Sequence, residues 1–169
     1  MGKKNEEEKT NVMRLLDQKK ISYRHYCYVK PGEETVTNGA EVARLLGQDP
    51  ARVFKTLVTA GKTKQHYVFM LPVEEELDLK KAAKAVGEKS IEMILQRELL
   101  PLTGYIHGGC SPIGMKKQFP VTVHETAEKY ETIIFSAGRV GYQVELSPKD
   151  LAKAIPVQFT DIVKAEPSE

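Results

Sequence analysis

Apolar residues recur at helical spacing near the start of the chain. Val12, Leu15 and Leu16 follow the i, i+3, i+4 repeat that places side chains on one face of a helix, and Lys19 continues the repeat. The glutamates at positions 6–8 would lie at the positive end of the helix dipole. This pattern predicts an amphipathic helix over residues 6–19.

Capping residues mark the remaining helices. Asn38 stands three residues before Glu41, as in a capping box, and Asp78 precedes an apolar repeat that Gly87 closes. Ser147 is followed by proline, which favours the first position of a helix. These signals, together with the composition of the segment after position 89, predict helices over residues 39–46, 79–86, 90–97 and 148–154.

Between the helices, β-branched and aromatic residues form short runs bounded by turn residues. The runs predict strands over residues 22–29, 52–60, 66–71, 121–124, 132–135 and 142–145, and an edge strand over 156–159. The polar segment 30–34 is a predicted turn, and the turn 61–64 joins its two neighbouring strands into a β-hairpin.

Helices and strands do not alternate regularly in this order, so a doubly wound parallel fold fits poorly. We expect an α/β domain of the α+β type, in which helices surround a mixed, mostly antiparallel sheet that curls toward a barrel. The chain contains no internal repeat and no long linker. It is therefore predicted to form a single domain over residues 1–169, with frayed ends at about 1–8 and 164–169.

The charges are nearly balanced, since 25 Lys and Arg against 23 Asp and Glu give a net charge of +2. This excludes a protein that coats nucleic acid through many phosphate contacts, but it permits a small basic patch. No apolar run approaches the roughly 20 residues of a membrane span. The amino-terminal lysines are not followed by an apolar stretch, so we expect no secretory signal, no membrane partner and a cytoplasmic location.

Cys27 and Cys110 are the two cysteines, and the four histidines are scattered along the chain. Neither residue type shows the spacing of a metal site or of a disulfide framework. We therefore expect two reduced thiols, no bound metal and no cofactor.

Lys55 lies within the predicted strand Val-Phe-Lys-Thr-Leu-Val, whose other residues are apolar or β-branched. A lysine on an exposed edge strand would protect against aggregation. A lysine that projects into a cleft would instead hold a phosphate or ribose oxygen, or stabilise charge on a reacting carbonyl. The strand pattern alone favours the edge-strand interpretation.

A glycine-rich loop spans residues 108–114, Gly-Gly-Cys-Ser-Pro-Ile-Gly. Adjacent glycines let the backbone approach a ligand and direct N–H groups at an anion, although a tight surface turn has the same composition. The loop is neither a Walker A motif nor GxGxxG. Cys110 is a poor candidate nucleophile, because a catalytic thiol needs a base and proximity of His107 in sequence does not supply one.

Tyrosines and a second loop provide further candidates. Tyr23, Tyr26 and Tyr28 lie on one predicted strand, where they form a half-buried aromatic face or offer a ring or hydroxyl to a substrate. The loop 136–141 is either an ordinary hairpin connection or a segment that brings Ser136 to a cleft and Arg139 to a phosphate.

Three segments in this order carry a family resemblance: Phe-Lys-Thr-Leu at 54–57, Tyr-Ile-His-Gly-Gly-Cys-Ser-Pro-Ile-Gly-Met-Lys-Lys at 105–117, and Phe-Ser-Ala-Gly-Arg at 135–139. The chain resembles the YbaK/EbsC-type Cys-tRNA(Pro) and Cys-tRNA(Cys) deacylases of the bacterial prolyl-tRNA editing-domain group. The resemblance extends over residues 10–163, and the middle segment is its most specific part. It implies a mixed α/β editing domain with a curled sheet.

The resemblance assigns roles to individual positions. Lys55 matches the family's essential lysine, which contacts the substrate near the tRNA 3′ end, and Thr56 matches the threonine beside it. Gly108 and Gly109 match the loop whose backbone faces the aminoacyl carbonyl and are expected to bind the oxyanion. Gln143 stands where some relatives carry Asp. The predicted substrate-binding residues also include Tyr26, Ser111, Pro112 and Ser136.

The implied activity is the removal of cysteine from mischarged tRNA(Pro), with attack by the thiol of the substrate and without a protein nucleophile. The implied partners are the 3′ aminoacyl end of a mischarged tRNA and prolyl-tRNA synthetase, in a ternary complex. Two alternatives remain at this point. The chain could deacylate Ala-tRNA(Pro), as in sister families, or it could be a non-catalytic module that binds tRNA or a synthetase.

Overall fold

A computed structural model describes residues 9–28 and 39–165. Five α-helices lie within these ranges: α1 (Asn11–Gln18), α2 (Gly39–Leu45), α3 (Leu79–Val86), α4 (Gln96–Thr103) and α5 (Pro148–Ala154). Eight strands accompany them: β1 (Arg24–Cys27), β2 (Phe54–Gly61), β3 (His66–Pro72), β4 (Ile91–Met93), β5 (Val121–His124), β6 (Ile133–Ser136), β7 (Tyr142–Leu146) and β8 (Val157–Thr160). Short 3₁₀ turns occupy Pro50–Arg52 and Glu125–Lys129.

The strands form two sheets. One has five strands in the order β4-β2-β3-β5-β8, and the other has three in the order β1-β7-β6. The three-stranded sheet is antiparallel, whereas β5 pairs in parallel with both β3 and β8 in the larger sheet. The predicted α+β class with a mixed, mostly antiparallel sheet is therefore confirmed, although the strands divide between two sheets.

The apolar sequence of β3 follows from its central position. Val68 and Met70 face a large core that also contains residues of α1, β5, β6 and β7. Phe69 and Leu71 face a smaller core on the other side, under α3. Because helices or strands cover both faces, β3 lacks the alternation of polar and apolar residues that is typical of a half-exposed strand.

Among the described residues, one isolated β-bridge joins the two sheets. Val53, immediately before β2, forms an isolated parallel bridge with Ile134 of β6. Beyond this bridge the two strands run in the same direction and separate, because β2 pairs with β3 while β6 pairs with β7. The separation leaves a gap between the sheets.

Locally encoded elements agree with the sequence predictions. Helix α3 has the predicted bounds, since Asp78 accepts hydrogen bonds from Lys80 N and Lys81 N at 2.9 and 3.0 Å and Gly87 adopts a left-handed conformation. The β2–β3 hairpin, β5, α5 and the edge strand β8 are likewise confirmed within one or two residues. Helix α1 begins later than predicted, because the hydroxyl of Thr10 caps it by accepting from Met13 N.

The predicted helix over residues 90–97 is wrong. Residues 91–93 form β4, which pairs with Thr59–Gly61 of β2, and α4 starts only after Leu95. Pairing with a strand that is distant in sequence outweighs the helical propensity of this short segment. The predicted turn 30–34, the cap at Asn38, the frayed end at 1–8 and all but the first two residues of the frayed end at 164–169 lie outside the described residues. Lys164 lies within them, and its N–H donates to the carbonyl of Glu76 at 2.9 Å.

Within residues 9–28 and 39–165, no helix has both the length and the apolar character that crossing a membrane requires.

Candidate active site

A cavity of about 320 Å³ lies in the gap between the two sheets. This volume is at the lower end of the range for small-molecule sites. Its walls come from β2, β6, β7, the glycine-rich loop, α2 and α4. The lining residues include Val42, Val53, Phe54, Lys55, Thr56, Leu57, Val73, Leu99, His107, Gly108, Cys110, Phe135, Ser136, Tyr142 and Gln143, as well as Tyr28 and Gly39.

Lys55 projects into this cavity and is half-buried. Strand β4 pairs only with residues 59–61 of β2, so β2 has a partner on one side alone at Lys55. The interpretation of Lys55 as an edge lysine on a solvated face is nevertheless wrong, because its side chain is half-buried and lines the cavity. Burial lowers the pKa of the Lys55 ammonium, and the negative charges of Glu76 and Glu75 act in the opposite direction. No carboxylate among the described residues forms an ion pair with Lys55, which leaves the ammonium available to an anionic ligand.

Thr56 presents both side-chain and main-chain groups to the gap. Its Oγ1 is buried and has no hydrogen-bond partner among the described residues. Main-chain groups alternate sides along a strand. The carbonyl of Val58 accepts from Ile94 N on the β4 side, at 3.4 Å. The N–H and C=O of Thr56 therefore point to the same side, where β4 has already ended and the cavity begins.

The two adjacent glycines of the loop have different roles. Gly108 lines the cavity and has φ of 87°, a left-handed conformation that favours glycine. The N–H of Gly109 instead donates to the carbonyl of Ile106 at 2.9 Å. A Cβ on Gly109 would stand 2.8 Å from the backbone nitrogen of Val140. The structure thus directs the N–H of Gly109 at Ile106 rather than into the cavity, and the small size of Gly109 allows close packing against the 139–140 segment. The oxyanion contact expected of both amides stays a prediction that the structure favours for Gly108.

Ser111 and Pro112 belong to the same loop but are buried, and they are not among the residues that line the cavity. The hydroxyl of Ser111 accepts from Ile113 N at 3.3 Å, and the carbonyl of Pro112 accepts from Gln118 Nε2 at 3.4 Å. Both residues hold the loop in shape. The structure gives neither of them the predicted contact with a ligand in the cavity.

Cys110 lies in the cavity wall near His107, but burial raises the pKa of its thiol to about 12. A thiol with such a pKa is protonated at neutral pH and is a weak nucleophile. The geometry thus agrees with a packing role for Cys110.

Ser136 and Gln143 form a cross-strand pair on β6 and β7, and both line the cavity. The hydroxyl of Ser136 accepts from Gly138 N at 3.1 Å. Gln143 is buried, and its Oε1 accepts from Gln48 Nε2 at 2.8 Å. This amide pair ties the segment after α2 to β7 and gives the cavity wall a neutral polar group.

Tyr26 does not line the cavity. Its hydroxyl donates to Glu145, whose carboxylate also accepts from Thr132 and from Arg52, with an Arg52 Nη2–Glu145 Oε2 distance of 2.7 Å. Burial opposes ionisation of Glu145, but these hydrogen bonds outweigh it and lower the pKa of the carboxyl. The structure therefore places the Tyr26 hydroxyl in this hydrogen-bond network and not in the cavity wall, where we expected it from the sequence.

Of the three tyrosines on the first predicted strand, Tyr28 is the one that lines the cavity, where Tyr142 is a further lining tyrosine. Its main-chain N–H donates to the carbonyl of Gly141 at 2.8 Å, just beyond the end of β1, and burial raises the pKa of its hydroxyl. Strand alternation placed Tyr26 and Tyr28 on one face and could not separate them. Tyr28 lies just beyond the end of β1 and lines the cavity, whereas Tyr26 lies within the strand and does not.

Taken together, the fold and the site define a small α+β domain with a cleft that binds and polarises a ligand. The cleft combines main-chain donors with the Lys55 ammonium, which has no ion-pair partner among the described residues, and with the Thr56 hydroxyl, which has no hydrogen-bond partner among them. Within residues 9–28 and 39–165, no group of three or more His, Cys, Asp or Glu side chains is arranged to hold a metal ion.

Comparison with known proteins identifies the family. The model of the aminoacyl-tRNA editing domain family matches residues 33–154, and the chain belongs to this family. It is 45% identical over 166 residues, 98% of this chain and 100% of the relative, to EbsC of Enterococcus faecalis, named as a candidate Cys-tRNA(Pro)/Cys-tRNA(Cys) deacylase. A proline–tRNA ligase of Pelobacter propionicus is 33% identical over 78 residues, which cover 46% of this chain and 14% of the ligase.

Solved structures show the same fold. A hypothetical protein, APE2540, has a TM-score of 0.82 with 21% identity and covers 92% of this chain and 100% of its own. A candidate trans-editing enzyme for prolyl-tRNA synthetase has a TM-score of 0.74 with 22% identity, covering 92% of this chain and 99% of its own. The family predicted from the three sequence segments is thus confirmed, and the chain is an aminoacyl-tRNA editing enzyme.

Proposed function

We propose that this chain is a trans-editing deacylase that removes cysteine from mischarged tRNA(Pro), and also acts on Cys-tRNA(Cys), by cleaving the aminoacyl ester. The observation that carries the proposal is the composition of the cavity wall. It brings Lys55, Thr56 and Gly108 together around a space of amino-acid size, while the one thiol in the wall is held protonated by burial. Full-length similarity to EbsC supports cysteine as the amino acid.

The need for such a site follows from the limits of binding selectivity. Cysteine and proline side chains are similar in size, and a pocket discriminates poorly between groups that differ by little more than one methylene. A synthetase for proline therefore loads some cysteine. A second site that recognises the thiol chemically, rather than by size, removes this error.

In the proposed reaction the substrate supplies the nucleophile. The thiol sulfur of the cysteinyl group attacks the carbonyl carbon of its own ester, a C–S bond forms, and the C–O bond to the terminal ribose breaks. The thiol proton ends on the ribose hydroxyl that leaves, so that the products are the free tRNA and a cyclic thiolactone. Water then opens the thiolactone to free cysteine.

The protein contributes positioning and charge stabilisation to this reaction. The N–H of Gly108 and the hydroxyl and main-chain N–H of Thr56 are the donors for the developing oxyanion. The Lys55 ammonium holds the 3′-terminal adenosine or its phosphate. Tyr28, Ser136 and the Gln48–Gln143 pair shape the space around the amino acid.

Prolyl-tRNA synthetase is the proposed partner in a ternary complex with tRNA. A part of this chain resembles a short segment of a proline–tRNA ligase, so an editing domain of this type also occurs attached to that enzyme. A nearly neutral protein gains little affinity for tRNA from its net charge and would gain it from such a complex.

The decisive experiment compares Cys-tRNA(Pro), Ser-tRNA(Pro) and Ala-tRNA(Pro) with the purified protein, following loss of the aminoacyl ester. Rapid loss of cysteine alone supports attack by the substrate thiol, because serine has nearly the same size but a far weaker nucleophile. Equal loss of serine would show that the cavity activates water. Loss of alanine alone would assign the chain to the alanine-specific activity, and loss of none would favour a binding module.

A further inference from the structure

The acidic residues are unevenly distributed around the cavity. Glu98 and Glu125 are consecutive acids in the sequence, so the whole segment 99–124, which contains the glycine-rich loop, has no carboxylate. Val73 also lines the cavity, and the segment that follows it is acidic, because it consists of the three successive glutamates Glu74, Glu75 and Glu76. One flank of the cavity is therefore acidic and another is free of acids.

Two lysines stand on the acid-free flank. Lys116 N donates to the carbonyl of Thr103 at 3.0 Å, so that Lys116 lies at the end of α4, the helix whose Leu99 lines the cavity. A Cβ on Gly104 would be 3.3 Å from Lys116 Cγ, so the side chain lies along this turn. The adjacent Lys117 places its Nζ 5.9 Å from the centroid of the Phe119 ring.

Lys116 and Lys117 are both exposed, and the Lys116 ammonium donates to the carbonyl of Pro101 at 3.5 Å. Among the described residues, neither Lys116 nor Lys117 forms an ion pair with a carboxylate. Lys9, Lys153 and Lys164 each pair with an acid, whereas the exposed Lys62 and Lys149 resemble Lys116 and Lys117 in forming no ion pair among the described residues. Lys116 and Lys117 differ from these single lysines in that they are adjacent in the sequence. Uncompensated adjacent cations on a surface create a local positive potential even when the net charge of the protein is small.

We propose that the acceptor end of the tRNA leaves the cavity across the flank of residues 104–117, with its phosphates on Lys116 and Lys117 and away from the Glu74–Glu76 rim. We call this surface the lysine flank. The inference rests on the proposed function, because it requires that the cavity holds the 3′ end of an RNA. Phosphates seek unpaired ammonium groups and avoid carboxylates, and the two flanks differ in this respect.

An exposed apolar residue follows the turn at Gly104, along which the Lys116 side chain lies, and leads into the cavity wall. Ile106 is 54% exposed and directly precedes His107, which lines the cavity. An aliphatic surface next to a cationic one suits an unpaired nucleotide, because the base covers the apolar group while the phosphate reaches the ammonium. An acidic protein surface would use the lysines but would leave Ile106 uncovered, so RNA is the better occupant.

The test uses the double charge reversal K116E/K117E in the full chain, with K149E/K153E on α5 as a control of identical charge change. Helix α5 follows the end of β7 that is remote from the cavity. Both variants are first checked for native circular dichroism and thermal denaturation. Two substrates are then compared over a range of salt concentrations, Cys-tRNA(Pro) and the short 3′-O-cysteinyl-adenosine, which lacks the remaining acceptor end.

For K116E/K117E we expect kcat/KM on Cys-tRNA(Pro) to fall by about tenfold or more at low salt, and the slope of log(kcat/KM) against log salt concentration to shrink by about 2. The rate on cysteinyl-adenosine should stay within about twofold of the parent, since this substrate does not reach the lysines. K149E/K153E should behave as the parent on both substrates. Equal losses in the two variants, or an unchanged salt slope in K116E/K117E, would overturn the lysine flank.

Binding of uncharged tRNA(Pro) separates this inference from the proposed function. If the parent cleaves neither substrate, the deacylase proposal fails, and the lysine flank still predicts weaker, less salt-dependent tRNA binding for K116E/K117E alone. Undetectable tRNA binding by the parent protein would overturn the lysine flank. If K116E/K117E weakens tRNA binding only when prolyl-tRNA synthetase is added, the lysines contact a protein partner. This result would overturn the RNA docking surface.

Discussion

The main-chain nitrogen of Gly109 donates to the carbonyl oxygen of Ile106, with an N–O distance of 2.9 Å. This bond closes a tight turn and directs the N–H of Gly109 away from a ligand in the cavity. The neighbouring Gly108, in a left-handed conformation, remains in the cavity wall. Two glycines that look equivalent in the sequence thus have separate tasks, one toward the ligand and one toward the 139–140 segment.

We expect Gly109→Ala to reduce kcat/KM for Cys-tRNA(Pro) by about 10- to 100-fold, because small displacements of positioning groups have effects of this size. The new Cβ would meet Val140 N at 2.8 Å and Arg139 C at 3.1 Å, so the loop must shift. Gly87→Ala is the control, since nothing lies within 4 Å of its Cβ. It should lower the free energy of unfolding by roughly 1–2 kcal/mol through backbone strain, without affecting kcat/KM. Equal activity of both variants would contradict the packing role of Gly109.

Lys55→Ala should reduce kcat by about 100- to 1000-fold, the usual effect of removing one electrostatic contact to a transition state. The fold should be retained, because Lys55 forms no ion pair with the described residues and is only half-buried. Lys62→Ala, in the turn at the far end of the same strand, is the matched control and should be fully active. Steady-state deacylation and circular dichroism of both variants provide the measurement. Full activity of Lys55→Ala would remove this residue from the site.

The pH dependence of deacylation should respond to the acidic rim. Activity requires the charged Lys55 ammonium, so the rate falls as the pH rises through the pKa of this group. Burial lowers that pKa, whereas Glu76 and Glu75 raise it. Removing both charges in E75Q/E76Q should therefore move the falling limb of the pH profile to lower pH. The rising limb, which reports ionisation of the substrate thiol, should stay in place. If this limb moves and the falling limb does not, Glu75 and Glu76 do not act on the pKa of Lys55.

Cys110→Ala should deacylate Cys-tRNA(Pro) within about threefold of the parent rate, because a thiol with a raised pKa is not the nucleophile. Burial raises the pKa of this thiol to about 12. Loss of the buried sulfur should lower the free energy of unfolding by about 1–2 kcal/mol, which thermal denaturation would detect. A loss of activity of more than about 100-fold, with the fold intact, would make Cys110 a catalytic residue.

Tyr26→Phe and Tyr28→Phe remove one hydroxyl each and should differ in their effects. Tyr26→Phe takes one donor from the buried Glu145 carboxylate and should lower the free energy of unfolding by about 1–2 kcal/mol, with kcat/KM unchanged. Tyr28→Phe changes the cavity wall and should alter kcat/KM with little effect on stability. The reverse outcome, an inactive Tyr26→Phe variant of normal stability, would restore Tyr26 to the site.

The accuracy of the sequence predictions follows the range of the interactions that form each element. Helix α3 was predicted with the correct bounds because its cap at Asp78 and its end at Gly87 involve only neighbouring residues. The predicted helix over 90–97 failed because β4 depends on pairing with Thr59–Gly61, which is distant in sequence. The division of the strands between two sheets was not predicted for the same reason. The relation between the sheets depends on contacts between remote segments, such as the Val53–Ile134 bridge.

The candidate site shows the same limit. Lys55, Thr56, Gly108 and Ser136 were selected from the sequence and do meet in one cavity. Ser111 and Pro112 belong to the same recognisable segment as the glycines, but they are buried and do not line the cavity. Segment composition identifies a loop, but it does not determine which of its residues face a ligand.

The sequence by itself determined the family, the α+β class and the strand and loop that carry the site, because motifs, caps and hydrophobic repeats are local properties. Only the tertiary structure decided which N–H of the glycine pair is free to meet a ligand, that Tyr28 rather than Tyr26 reaches the cavity, and that Lys55 lies beside a gap between two sheets. The direction of a donor and the separation of two strands depend on packing between residues far apart in the chain, and no local pattern encodes them.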